Sequence, residues 1–226
     1  MRARAIVIAS GVQYRRLPLR DLARFESNGV YYGATFVEGQ RCDGAEVIVV
    51  GGANSAGQAA VFLSGFVSRV YMLVRGAGLA ETMSRYLVRR IEETENITLL
   101  AETEIEALEG GDRLERVRWR THGRDGETRP IEHVFMMTGA TPNSAWLEGC
   151  VARDHKGFVL TGADLGPDEL KAASWPLARQ PMLLETSSPG VFAVGDVRAN
   201  SVKRVASAVG EGSICIQLVH KVLAEP

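Results

Sequence analysis

The chain has 226 residues, a net charge of −1, and 46% hydrophobic against 23% charged residues, an ordinary balance for one large or two small globular domains. Near-neutral charge gives no electrostatic footprint for nucleic acid or an anionic membrane. No apolar run is long enough to cross a bilayer, and the basic-then-apolar start is too short for a signal peptide, so a cytoplasmic location without nucleic-acid or membrane partners is expected.

Ala5–Ala9 is a short apolar run ending at Ser10–Gly11, which predicts a buried strand and a turn. Tyr14–Gly29 is polar and mixed, a loop with one short helix. Glu46–Val50 is a continuous β-branched run, the pattern of a parallel strand covered on both faces. A small-residue helix over Ser55–Ser64 and a second strand over Arg69–Val74 complete a strand–helix–strand unit. Leu79–Glu93 carries Leu79, Met83, Leu87 and Ile91 at helical spacing, with Arg85, Arg89 and Arg90 on other faces. Ile97–Leu100 reads as a strand. Leu114–Thr121 alternates Val117 and Trp119 with Arg116, Arg118 and Arg120, a half-exposed antiparallel strand set in a meander. His133–Met137 returns as a buried strand.

After Thr138, "GATPNSAWL" reads as a linker with a Pro turn, Gly157–Thr161 as a strand and Gly166–Pro176 as a polar loop. Val191–Val194 is a strand ending at Gly195–Asp196, and Val202–Leu223 a terminal helix with Val205, Val209, Ile216, Leu218 and Val222 on its apolar positions. Cys42, Cys150 and Cys215 form no CxxC, so no redox dithiol or zinc site is spelled locally. Three buried, inert thiols are expected. The four histidines show no ligand spacing, and no metal site is expected.

Two stretches carry chemistry. In "IVVGGANSAGQAA" the residues Gly51, Gly52, Ala53, Asn54, Ser55 and Ala56 occupy the six places of a Gly-x-Gly-x-x-Gly/Ala turn between a strand and a helix. There the first Gly makes the tight turn, the second lets pyrophosphate approach the backbone, and the third allows close helix–strand packing. Phosphate then rests on the helix N-terminus, where unpaired N–H groups and the dipole favour an anion. Ala53 stands where the second glycine is wanted. At the end of the second strand an acid would accept the ribose 2′-OH of NAD, whereas an arginine tolerates a 2′-phosphate. Arg75 stands there, the next acid being Glu81, and this favours NADP(H). In "ETSSPGVFAVGD", Asp196 follows a buried strand and Gly195, a position where a carboxylate meets sugar or ribitol hydroxyls.

With "AIVIASG", "GVYYGAT", "MSRYLVRRI" and "SVKRVASAVGEG" in the same order, the chain resembles the thioredoxin-reductase-like group of FAD/NAD(P)H pyridine-nucleotide oxidoreductases. It is similar to the reductase part of bacterial fusions to regulatory domains. The resemblance implies an α/β fold: a Rossmann-like three-layer ββα NAD(P)-binding domain plus an incomplete FAD-binding domain. On that map residues 1–16 hold a late strand of the FAD domain. Residues 17–137 are the NAD(P)H domain, and 138–226 the returning FAD segment. Ser10 and Gly11 would border the flavin, Asp196 would hold its ribitol, and Lys203, Arg204, Val205 and Ala206 would lie beside its ring. The activity implied is hydride transfer from NADPH to FAD and on to an unidentified acceptor.

Three departures qualify the resemblance. The family's opening βαβ, with its own glycine turn for FAD, is not in this sequence. Gly33 and Phe36 take the two cysteine places of the family's CxxC, which excludes dithiol reduction through that pair. Of the family's basic cluster for the 2′-phosphate only Arg75 remains, with Gly76 and Ala80 in the other two places and Arg85 as a candidate replacement. No catalytic acid, base or nucleophile is spelled by the sequence. Val191–Val194, apolar throughout, expects neighbours on both edges, so the chain is expected to dimerise, to pair with a chain supplying the first FAD segment, or to leave these segments poorly ordered. Beside the oxidoreductase stands a second reading, a non-catalytic NADP(H)-binding module that does not bind FAD alone.

Overall fold

A computed structural model describes residues 3–79 and 83–225. The chain folds as two compact units, Arg15–Gly139 on one hand and the residues up to Tyr14 together with those from Ala140 onward on the other. In chain order come β1 (Ile6–Ile8), β2 (Val12–Tyr14), α1 (Leu22–Phe25), β3 (Val30–Tyr31), α2 (Phe36–Arg41) and β4 (Glu46–Val50). There follow α3 (Asn54–Leu63), β5 (Arg69–Leu73), α4 (Arg85–Glu92), β6 (Ile97–Leu100), β7 (Thr103–Gly110) and β8 (Leu114–Thr121). The last are β9 (Glu127–Arg129), β10 (His133–Met136), β11 (Ala140–Pro142), α5 (Pro167–Ala172), β12 (Val191–Ala193) and α6 (Val205–Ala224).

In the 15–139 unit, β3, β10, β4, β5 and β6 lie in that order as a five-stranded parallel sheet. Its central strands are apolar at nearly every position because both faces are covered. Val47, Val49, Met72 and Phe135 face α3 and α4, where Ala60, Leu63, Leu87 and Ile91 close the core. The alternate residues Ile48, Val50, Tyr71, Leu73, Val134 and Met136 belong to a second core with Leu108, Leu114, Val117 and Trp119 of the β7–β8–β9 meander. Helices, parallel sheet and meander are the three layers of a Rossmann-like α/β unit, as the sequence implies.

The other unit is built differently. Its parallel sheet has two strands, β1 and β12, in register from Ile6–Val191 to Ile8–Ala193. β2 pairs antiparallel with β11. One face of α6 packs Cys215, Leu218 and Val222 on Phe192 and Val194, while Val205 and Val209 are 82% and 68% exposed. A clamp fixes the approach to β12: Arg179 meets Glu185 at 2.6 Å and Glu225 at 2.8 Å, and Glu185 also accepts the N–H groups of Met182 and Gly190.

Several expectations need correction. "GATPNSAWL" is no mere linker, since Ala140–Pro142 enters a ladder with β2, a strand for which the sequence shows no pattern. Gly157–Thr161 forms no strand; Val159 makes only single bridges to Arg153 and Arg198. Pro167–Ala172 is a helix, started by Pro at its first turn and by two acids that suit the helix dipole. The helix expected from Leu79 begins at Arg85, and Ala80 and Glu81 lie outside the described residues. α6 begins at Val205 and leaves Val205, Val209 and Ile216 exposed rather than packed. Cys42 and Cys215 are buried, but Cys150 is exposed, so the thiols are not three alike. Burial and the nearby Glu38 charge push the Cys42 thiol up to about 11.

Candidate functional site

The turn after β4 is shaped by one glycine. Gly51 has φ 139°, and a Cβ built on it would stand 2.5 Å from the Met137 carbonyl oxygen and 3.2 Å from the Ala56 Cβ. No side chain fits there, because the chain must pass this close to the end of β10 before turning into α3. Ala53 is the N-cap of α3, extended and without a side-chain cap. Its carbonyl accepts the N–H groups of Ala56 and Gly57. The first N–H groups of an α-helix have no intrahelical acceptor and point out of its N-terminus, here over exposed Ala53, Asn54 and Ser55. Gly51, Gly52, Asn54 and Ser55 thus surround the N-terminus of α3, a cradle whose dipole favours a diphosphate. Ala56 is fully buried and serves the packing of α3 on the sheet, so it offers no side chain to a ligand.

Asn54 also braces the turn, since its Oδ1 accepts the Ser84 N–H at 2.8 Å and so ties the turn to the start of α4. Arg75, just beyond β5, is 81% exposed and among the described residues its one ion pair is with Glu104, at 4.0 Å. A groove of about 650 Å³ opens beside it, between the turn after β5 and the meander. Arg85, the second cation suggested by the sequence, is not among the residues lining that groove. Arg120 and Arg124 are, and nothing in a linear motif singles them out, since they sit some fifty residues from Arg75.

In the other unit the carboxyl end of β12 runs into a 3-10 turn, Gly195–Val197. Glu211, on one side of α6, organises it: one carboxylate oxygen accepts the Gly195 N–H at 2.7 Å, the other the Arg198 guanidinium at 2.6 Å. Burial alone would raise the Glu211 carboxyl, but Arg198 and the Gly195 amide outweigh it and hold it below the usual range. Asp196, half-buried, makes no hydrogen bond with its carboxylate among the described residues. Lys203 lies over the Phe158 ring at 4.4 Å and reaches Ser201 at 3.2 Å; partial desolvation, opposed by the Asp196 charge, lowers its ammonium. Lys203, Arg204, Val205 and Ala206 are exposed around the start of α6.

Ser10 and Gly11 are engaged with Asn143, a residue that no sequence motif singles out. Ser10 Oγ donates to the Asn143 carbonyl at 2.8 Å, Asn143 Nδ2 donates to the Ser10 carbonyl at 2.9 Å, and the Asn143 N–H donates to Gly11. At the places of the family dithiol, Gly33 is exposed and Phe36 stacks edge-on against Phe66. Among the described residues no group of three or more His, Cys, Asp or Glu is arranged for a metal, and no helix is long and apolar enough to cross a membrane.

The sequence model of the family described as pyridine nucleotide-disulphide oxidoreductase matches residues 1–212. An alkyl hydroperoxide reductase component of Pseudomonas putida is 27% identical over 215 residues, covering 94% of this chain and 37% of its own length. Thioredoxin reductase of Mycoplasmopsis pulmonis is 27% identical over 216 residues, covering 95% of this chain and 62% of its own. The chain therefore spans less than two thirds of each of these relatives. Among solved structures, thioredoxin reductases from Streptococcus pyogenes and Giardia duodenalis share the fold, with TM-scores of 0.77 and 0.78 at 24% identity. They cover 97% and 98% of this chain, which spans 65% and 66% of theirs.

Proposed function

The chain belongs to the pyridine nucleotide-disulphide oxidoreductase family, and from that premise we propose that it is part of a flavin-dependent NAD(P)H oxidoreductase. Its 15–139 unit is the nicotinamide-nucleotide domain, with Gly51, Gly52, Asn54 and Ser55 holding the pyrophosphate and Arg75 favouring NADPH over NADH. The observation that carries this reading is the Gly51 turn, whose conformation and 2.5 Å clearance exclude any side chain beside the N-terminus of α3. The residues up to Tyr14 and from Ala140 onward contribute to an FAD site through Asp196, at the carboxyl end of β12, and through the start of α6. A flavin held there would supply two-electron chemistry between a nicotinamide and an acceptor, and Gly33 and Phe36 offer no dithiol to serve as that acceptor. This chain's residues bind, orient and exclude water, and no side chain serves as acid, base or nucleophile.

Two features favour the alternative, a nucleotide-binding module that holds no flavin by itself: the Ala53 methyl where pyrophosphate approaches, and the two-stranded sheet of β1 and β12. A visible spectrum after incubation with FAD and desalting separates the two. A retained flavin band that bleaches on anaerobic addition of NADPH is the expected result. Loss of all flavin on desalting would leave the nucleotide-binding module.

A further inference from the structure

Three turns of the 15–139 unit are tied together by backbone hydrogen bonds. The Glu102 N–H, between β6 and β7, donates to the Gly76 carbonyl at 3.0 Å. The His122 N–H, at the end of β8, donates in turn to the Glu102 carbonyl at 2.8 Å. Glu102 holds φ 49°, a left-handed conformation that costs on the order of 1 kcal/mol for a non-glycine residue and persists because both bonds fix it. The turn after β5, which carries Arg75, is thus bound in register to the turn after β8, which carries Arg124. Both residues line the groove of about 650 Å³.

Three carboxylates, Glu102, Glu104 and Glu106, line that groove beside Arg75, Arg120 and Arg124, and its charges are unequally used. Glu106 takes Arg118 at 3.1 Å and Arg120 at 2.8 Å. Glu104 reaches Arg75 only at 4.0 Å, an exposed pair of little worth. Arg124 has no ion pair among the described residues. Gly76, next to Arg75, has no side chain to add a charge. We infer that Arg124, from the meander, completes the 2′-phosphate site opposite Arg75 and so sets the preference for NADPH over NADH. Two guanidinium groups bracketing a phosphate dianion give charge-assisted, bidentate hydrogen bonds that a ribose 2′-hydroxyl cannot make. This rests on the reading of the Gly51 turn as a nicotinamide-nucleotide site.

Direct titration of the full chain with NADPH and with NADH, by calorimetry, tests it on wild type, Arg124→Ala, Arg124→Lys and Arg75→Ala. Arg124→Ala weakens NADPH on the order of fivefold at low salt, leaves NADH unchanged, and loses its effect as salt rises. Arg124→Lys retains part of the preference. Melting temperatures equal to wild type exclude a folding defect, as expected for an exposed turn. If Arg75→Ala is selective for NADPH while Arg124→Ala alters neither nucleotide or both equally, the inference fails and the nucleotide reading stands. If wild type binds neither nucleotide, or prefers NADH, the reading of the site fails and takes the inference with it.

Discussion

Strands β4 and β1 have nearly the same sequence character, "EVIVV" and "IVI", and opposite surroundings. In β4 the alternate side chains enter two different cores, and Ile48 has no exposed surface. In β1 only Ile8 is buried, while Ile6 and Val7 are 49% and 43% exposed. The aliphatic run specifies a strand in both places. Burial is set by how many neighbours the sheet has, five strands in one unit and two in the other. The difference teaches that a run of β-branched residues reports what a strand requires of its surroundings, and a two-stranded sheet leaves that requirement unmet.

The same substitution made in both strands breaks or confirms this contrast. Ile48→Ala removes a fully buried side chain between two cores and is expected to cost ~4 kcal/mol. Ile6→Ala removes a half-exposed one and is expected to cost less than about 1.5 kcal/mol. Urea unfolding followed through Trp119, in the first unit, and Trp175, in the second, measures each. Equal losses in the two variants would show that β1 is covered in solution.

Next in size is the clamp around Glu185, which among the described residues is the one charge this less covered unit buries completely. Removing Arg179 leaves that carboxylate with only the Met182 and Gly190 amides. Breaking a buried pair from one side is strongly destabilising, so Arg179→Ala is expected to cost ~3 kcal/mol. The loss is confined to the unit that holds α6. Trp175, whose indole lies under Arg179 and donates to its carbonyl at 2.8 Å, reports it directly. A loss seen equally at Trp119 would mean that the two units unfold as one.

How legible these features are follows from the distance over which each is encoded. The parallel strands and α3 are readable because their pattern is local: Glu46–Val50 and Ile97–Leu100 can be placed to the residue. β2 and β11 cannot, because each is three residues long and has strand form only through the other, more than a hundred residues away. The Gly51 turn is visible because the constraint on that glycine comes with its own neighbours. The Arg124 side of the groove is invisible because Arg124 reaches the turn after β5 only through the backbone bonds at Glu102, some fifty residues along the chain from Arg75. Glu185 opens the stretch "ETSSPGVFAVGD" and Arg179 stands six residues before it, but only the fold shows that the carboxylate is sealed from water and paired.

The smallest effect separates the units by pH. Burial lowers the His133 imidazole from 6.5, with Glu132 opposing and Arg113 assisting. A histidine with a depressed folded pKa gives stability that is fully present above 6.5 and lost as pH falls below it, because the unfolded chain takes up the proton first. Glu185 behaves in the same sense at lower pH. Burial would raise its carboxyl, but Arg179 and the Gly190 and Met182 amides hold it below the ordinary 4.5. Its contribution is intact above 4.5 and is lost only as pH falls through the lowered folded value. From pH 6.5 to pH 4.5, then, stability declines at Trp119 and stays level at Trp175. Below pH 4.5 the Trp175 signal follows. His133→Asn, which cannot titrate, should flatten the first decline and leave the second in place. A decline at Trp119 that persists in that variant would assign the upper window to another group.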